Sequence, residues 1–213
     1  PAGNSGCQMG GWFKKEIKSA ADLQGLKMRI PGLGGEILRR AGGTPVSLPG
    51  GEIFTALQTG TVDAAEWIGP YNDLTFGFHK AAKYYYYPGW HETGPALECM
   101  VNKEAFDSLP ADLQAIVEIA ASATNDQMLA EFMARNAFAL TEIEQMDYVK
   151  ILPFPDDVMT ALKQASDEII AEISARDEKF KTIYQSFLDY MNTVSKWTEI
   201  SEFAMLANRY KKD

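Results

Sequence analysis

Histidine and cysteine are scarce in this chain, two of each among 213 residues, and that scarcity removes whole classes of chemistry. Metal clusters and disulfide scaffolds need closely spaced Cys and His, whereas Cys7 and Cys99 stand far apart. Two buried thiols are expected from them, with a single disulfide in an oxidising compartment as the alternative. His79 and His91 are the only histidines, no Gly-x-Ser-x-Gly or His-Glu-x-x-His occurs, and a hydrolase is therefore a poor reading. Basic residues are also few: Lys+Arg 20 against Asp+Glu 29 gives a formal charge of -9, which repels phosphate backbones and argues against a nucleic-acid partner. No apolar run approaches the roughly 18 residues that a spanning helix requires. No Gly-Lys-Ser or Gly-Lys-Thr phosphate loop, repeat period or low-complexity tract is present. Residues 1–11 carry no charged leader or apolar stretch and no start methionine, so a secretion signal is not expected here and the chain is expected to begin inside a longer protein.

What is present suits a folded α/β unit: 46% hydrophobic residues and 11% aromatics can build a core. Ser19 to Leu23 reads as a capped turn, Leu26 to Ile30 as a strand ended by Pro31 and Gly32, and 36–40 as a helix stopped by Gly42 and Gly43. A strand at 44–48, a helix at 52–58 and a strand out of Gly60 that ends at Glu66 continue a β-α-β-α rhythm, which implies a mixed or parallel sheet. Aromatic 83–87 and then 96–102 read as further strands, with Trp90, His91 and Glu92 in the loop between. From Leu109 a long helix runs to about Glu144, with Leu113, Ile116, Val117 and Ala120 on one face. A strand at 149–154 and a helical arm to Ala207 follow, the next helix capped by 155–157. The expected organisation is an α/β lobe over 1–108, a spine helix over 109–148, and a return strand with helical arm over 149–213.

Arg29 carries the most chemical weight. A guanidinium at the carboxyl end of a strand presents a rigid fork that can hold a carboxylate by two charge-assisted hydrogen bonds, and sheet ends are where α/β clefts form. Taken alone, such an arginine is more often a solvated residue on a strand edge. Glu66 and Trp67 share another strand end, and Glu92 lies beside Trp90; carboxylates near aromatic walls suit a hard cation or a hydroxyl donor, and equally suit salt bridging and ordinary packing. Gln8 lies in a glycine-rich stretch, Gly6 to Phe13, that reads either as a lining loop or as a hairpin. His91 or Glu92 could serve as a base, which keeps an oxo-acid lyase or isomerase open as an alternative. The rings of Tyr84 to Tyr87 are expected to alternate between core and surface.

Residues 20–30, Ala-Ala-Asp-Leu-Gln-Gly-Leu-Lys-Met-Arg-Ile, followed by 54–66, Phe-Thr-Ala-Leu-Gln-Thr-Gly-Thr-Val-Asp-Ala-Ala-Glu, resemble the solute receptors of tripartite ATP-independent periplasmic (TRAP) transporters. Residues 8–13, 65–70 and 88–92 look like the branch of that family that binds 2-oxo acids or lactate beside a cation. The resemblance implies a periplasmic-binding-protein-like fold of two α/β lobes with a long spine helix, the present residues supplying mostly the second lobe and the carboxy-terminal helices. It further implies a periplasmic binder, not an enzyme, that delivers a small monocarboxylate such as pyruvate or lactate to TRAP membrane subunits. Arg29 would hold the ligand carboxylate, with Trp67, Gln8 and Glu92 also on the ligand. Gln8, Glu66, Trp67 through its backbone carbonyl, and Glu92 would surround a sodium or calcium ion. The tail from 187 to 210 resembles an arm through which that branch forms homodimers, the alternative being a helix folded back on its own lobe. A dicarboxylate or sugar-acid receptor, or a sensing module without transport, is an alternative to be tested.

Overall fold

A computed structural model describes residues 1–211 of the chain, and its residues cluster into two compact units, 1–165 and 166 onward. The first unit contains β1 (Gly3–Asn4), β2 (Gly11–Phe13), β3 (Lys27–Arg29), α1 (Gly32–Arg40), β4 (Thr44–Val46), α2 (Gly50–Thr59), β5 (Ala64–Ala65) and α3 (Pro70–Thr75). It continues with β6 (Tyr84–Tyr87), β7 (Ala96–Leu97), α4 (Lys103–Asp107), α5 (Ala111–Glu144), β8 (Lys150–Pro153) and the start of α6 (Asp156–Arg176). Helix α6 itself crosses the boundary between the units. Among the described residues no helix is long and apolar enough to cross a membrane.

Six strands form one sheet in the order β4-β3-β5-β2-β6-β8. Strand β3 is parallel to β4 and β5, β6 is parallel to β8, and β2 runs antiparallel between β5 and β6. This mixed topology has a direct consequence for function. The residues that leave β3, β4, β5 and β6 emerge on the same edge at which residues 8–10 enter β2. Stretches far apart in sequence therefore converge there, as open α/β sheets dictate.

The central strand β2 is buried on both faces. Trp12 stacks on Tyr85 at 4.1 Å between ring centroids and joins Ile53, Leu57, Val62, Phe78 and Ile143, while Phe13 packs edge-on against Tyr86 and Phe154. Such pairs add about 0.5–1.5 kcal/mol each beyond their buried area. The expected core-and-surface alternation of the four tyrosines fails here: Tyr85 and Tyr86 point to opposite faces yet both are buried, because both faces are covered. Gly11 shows why glycine is needed at the start of β2. Its φ is +115°, and a Cβ would stand 2.6 Å from the Ala65 carbonyl oxygen.

Several expected boundaries shorten. The expected strand at 96–102 survives only as β7, because β1 offers two pairing residues, Gly3 opposite Leu97 and Asn4 opposite Ala96. The strand out of Gly60 is confined to β5, and the segment 6–13 is no hairpin, since β2 pairs with β5 and β6 instead. Helix α5 has the expected length, but Leu113, Ile116, Val117 and Ala120 are exposed; its far end, at Ala139 and Ile143, is what reaches the core. The two cysteines correct the expectation of buried thiols: both are free and exposed, because they lie on irregular surface stretches, with the Cys7 thiol donating to the Thr93 carbonyl at 2.9 Å.

The second unit is helical. After α6 come α7 (Glu178–Thr198), a π-helical turn (Glu199–Phe203) and α8 (Ala204–Arg209). The Asp177 carboxylate caps α7 by accepting the Phe180 N–H at 3.0 Å. Ile183, Phe187, Tyr190, Met191 and Trp197 recur at helical spacing along α7 and are exposed.

Candidate ligand-binding site

Arg29 closes β3 and is only 7% exposed. Its Nε donates to the Leu48 carbonyl at 3.1 Å, one Nη donates to the Glu66 carbonyl at 3.1 Å and to the Glu66 carboxylate, and its guanidinium lies 5.1 Å from the Trp67 ring centroid. The other terminal nitrogen makes no hydrogen bond among the described residues. The fork is thus oriented by two backbone carbonyls and an aromatic face, with one prong uncommitted. Register accounts for the pairing: Arg29 sits opposite Ala65, so Glu66 follows directly into its reach.

Glu66 is 3% exposed, and its second oxygen meets His91 Nε2 at 3.0 Å. The ring therefore joins an Arg29–Glu66–His91 chain, while its Nδ1 is buried without a hydrogen-bond partner. Beside it, the Gln8 amide nitrogen donates to the Glu92 carboxylate at 2.6 Å. A carboxylate only accepts, which turns the Gln8 carbonyl oxygen away from Glu92, and that oxygen is buried with no donor. Gly89 permits the close approach of the two loops: a Cβ there would lie 2.4 Å from the Gln8 backbone carbonyl oxygen. The Trp67 ring rests against Gly50, where a Cβ would stand 2.6 Å from it.

The sheet edge therefore brings Arg29, Glu66, Trp67 and His91 into one cluster and Gln8 and Glu92 into a pair joined to it through residues 91–92. Among the described residues no three Asp, Glu, His or Cys side chains converge as a metal cluster. Any cation here would lean on neutral oxygens as well, and the orphaned Gln8 oxygen is of that kind. An all-oxygen donor set suits a hard cation such as sodium or calcium.

Two contributors escape a reading of the sequence. One is the Leu48 carbonyl, which orients Arg29. The other is Asp73, 1% exposed on α3, whose carboxylate accepts from Trp12 Nε1 at 3.0 Å, Tyr85 Oη at 2.9 Å and the Ile68 N–H at 3.3 Å. Burial drives the Asp73 pKa up to about 7 even though those three donors pull it down, and burial together with Asp73 raises that of Tyr85. An acid in the first turn of a short helix reads as a routine dipole partner, so its sequence position gave no signal of this role.

The sequence profile of the bacterial extracellular solute-binding proteins, family 7 (DctP), matches residues 2–177. A monocarboxylate 2-oxoacid-binding periplasmic protein from Nostoc sp. is 45% identical over 204 residues, which is 96% of this chain and 56% of that protein. A TRAP periplasmic solute-binding protein from Colwellia psychrerythraea, solved with bound calcium and pyruvate, superposes with a TM-score of 0.94 at 47% identity, covering 98% of this chain and 63% of that one. One from Pseudoalteromonas atlantica, with bound sodium and pyruvate, gives 0.93 at 44% identity over 100% of this chain and 64% of its own. The chain thus spans little more than half the length of the curated relative and under two thirds of these solved ones. With the profile running through both the sheet and α5, the chain belongs to the family 7 (DctP) bacterial extracellular solute-binding proteins.

Proposed function

We propose that this chain carries the carboxylate-binding lobe of a periplasmic receptor that captures a small 2-oxo acid, pyruvate or a close relative such as lactate, together with a cation, and presents it to TRAP membrane subunits. The observation that carries this reading is the buried Arg29 fork: held on one side by Leu48, Glu66 and Trp67, it has a terminal nitrogen uncommitted at the sheet edge. A carboxylate docked there gains charge-assisted hydrogen bonds in a low-dielectric setting.

Charge balance supports a co-bound cation. Arg29 contributes one positive charge and Glu66 and Glu92 two negative ones, a formal sum of -1 (+1 - 2); a monocarboxylate alone would raise this to -2 at a site where Arg29 and Glu66 are buried and Glu92 is exposed. Sodium would return it to -1 and calcium to zero. Gln8 through its free carbonyl oxygen, Glu66, Glu92 and the Trp67 backbone carbonyl would hold the ion, and the ion would supply electrostatic attraction for the ligand's oxygens. The Trp67 ring would wall the ligand, with Gln8 and Glu92 lining it.

Binding without turnover is the reading that fits His91 best. Its Nε2 is committed to the buried Glu66 carboxylate, which leaves it placed to fix that carboxylate in orientation, and Glu92 is paired with the neutral Gln8 amide. The exposed apolar stripe of α7 supports a homodimer formed through that helix. A thermal-shift panel on the full-length protein, run with 2-oxo acids, lactate, dicarboxylates and sugar acids in sodium or calcium, tests the ligand class. Pyruvate with a cation should raise Tm; a rise with dicarboxylates alone would overturn the monocarboxylate assignment.

A further inference from the structure

Three segments bear the site: the loop with Gln8 and Met9, the stretch Glu66 to Ile68, and the loop with His91 and Glu92. The first two are tied at Ile68, whose carbonyl accepts the Met9 N–H at 3.0 Å and whose N–H donates to Asp73. Asp73 also receives the indole of β2 and the phenol of β6, so one carboxyl group spans two neighbouring strands and the segment that carries Glu66 and Trp67. Its own helix is anchored from outside: the Tyr71 N–H donates to Asn136 of α5 at 3.0 Å, and the Tyr71 ring lies edge-on to Phe132 and 5.0 Å from Arg135.

We infer that Asp73 is a positioning residue of the ligand site, holding residues 66–68 in register with the Gln8 loop so that Glu66, Trp67 and Gln8 meet Arg29 and the ligand in one geometry. The inference rests on the receptor reading above. Trp12 Nε1 and Ile68 N are obligate donors that reach different oxygens of Asp73, Oδ2 and Oδ1, so a carboxyl group, with an acceptor on each oxygen, serves both where an amide cannot. An amide at 73 must present its NH2 to one of them, which predicts both a loss and a specific rescue. Burial without an opposing cation, which pushes this carboxyl up to about 7, indicates a group retained despite its desolvation cost.

The test is calorimetric titration of pyruvate in sodium chloride into the full-length protein and its variants. Asp73→Asn should weaken binding at least tenfold, whereas Leu162→Ala, a buried residue of α6 with no part in the hydrogen bonds of the site, should leave affinity within about twofold even where it lowers Tm as much. Adding Trp12→Phe to Asp73→Asn removes the conflicting donor, since the amide can then bond the Tyr85 hydroxyl and still accept from Ile68; affinity should recover to within about threefold of wild type. Should Asp73→Asn not fold, the pair Trp12→Phe/Asp73→Asn and Trp12→Phe/Asp73→Leu decides, because only the asparagine retains an acceptor for Ile68. A tenfold or larger difference between the two supports the role, and equal affinities overturn it, as does an Asp73→Asn loss no greater than that of Leu162→Ala. Wild-type protein without affinity for any carboxylate overturns the receptor reading and this inference together, whereas a normal wild type with indifferent Asp73 variants overturns the inference alone.

Discussion

The sheet edge of the first unit and the α7 face of the second treat their side chains in opposite ways, although α5 of the first unit also exposes Leu113, Ile116 and Val117. In residues 1–165 charged groups are buried: Arg29, Glu66 and Asp73 are each under a tenth exposed, held by backbone carbonyls, ring nitrogens and hydroxyls at the sheet edge. From 166 onward apolar groups are exposed, with Ile183, Phe187, Tyr190 and Trp197 each more than half accessible along one amphipathic helix. Burying charge costs free energy unless every partner is in place, and exposing large apolar groups costs it unless something covers them. On the proposed reading, the first departure is a ligand site built at the expense of stability and the second a surface for a second copy of the chain. Neither region is shaped by core packing alone.

The contrast breaks most sharply at Glu66. Replacing it by Ala strands Arg29 and His91 in a dry site and should destabilise the fold by about 3–5 kcal/mol, as the loss of one partner of a buried pair does. Removing Lys103 from its exposed pair with Asp107 should leave chemical denaturation unchanged. Equal effects of the two substitutions would mean that burial is not what distinguishes the site.

Next in size is Gly11→Ala, which forces a Cβ against the Ala65 carbonyl in a backbone conformation that L residues rarely adopt; a loss of about 1–3 kcal/mol is expected in urea denaturation. Then comes pH. The Asp73 carboxyl keeps its proton in the folded chain up to about pH 7, while in the unfolded chain it ionises near 3.8. Between those values the folded state binds more proton, so this group makes stability fall as pH rises from about 4 to 7, by up to about 1.4 kcal/mol per unit, and contributes no slope above that window. Asp73→Asn should flatten that part of the profile; an unchanged slope would place its origin elsewhere. The smallest effect is expected in the arm: Phe187→Ser and Trp197→Ser should leave pyruvate affinity within about twofold while lowering the sedimenting mass of the full-length protein. An unchanged mass would argue against α7 as the dimer surface.

Much of this contrast was legible in the sequence where local signals are strong. Pro31 and Gly32 end β3, Gly42 and Gly43 end α1, and Gly60 ends α2, so the strand–helix rhythm and the place of Arg29 at a strand end could be read directly. The partners of Arg29 could not. The pairing of Glu66 with His91, and of Gln8 with Glu92, depends on an antiparallel β2 inserted among parallel strands, which no local pattern encodes. Asp73 was invisible for the same reason: its three donors come from β2, β6 and the segment after β5. The tyrosine run and the cysteines misled because alternation and average burial say nothing about what covers a face.

The central claim is that the uncommitted prong of Arg29 is the carboxylate anchor, and calorimetric titration of pyruvate in sodium chloride into full-length wild type, Arg29→Lys and Arg29→Ala tests it most directly. Lysine keeps the charge but loses the fork and should bind at least tenfold more weakly, and Ala should show no measurable heat, a loss of about 3 kcal/mol or more. Wild-type affinity in a folded Arg29→Ala variant would contradict the account.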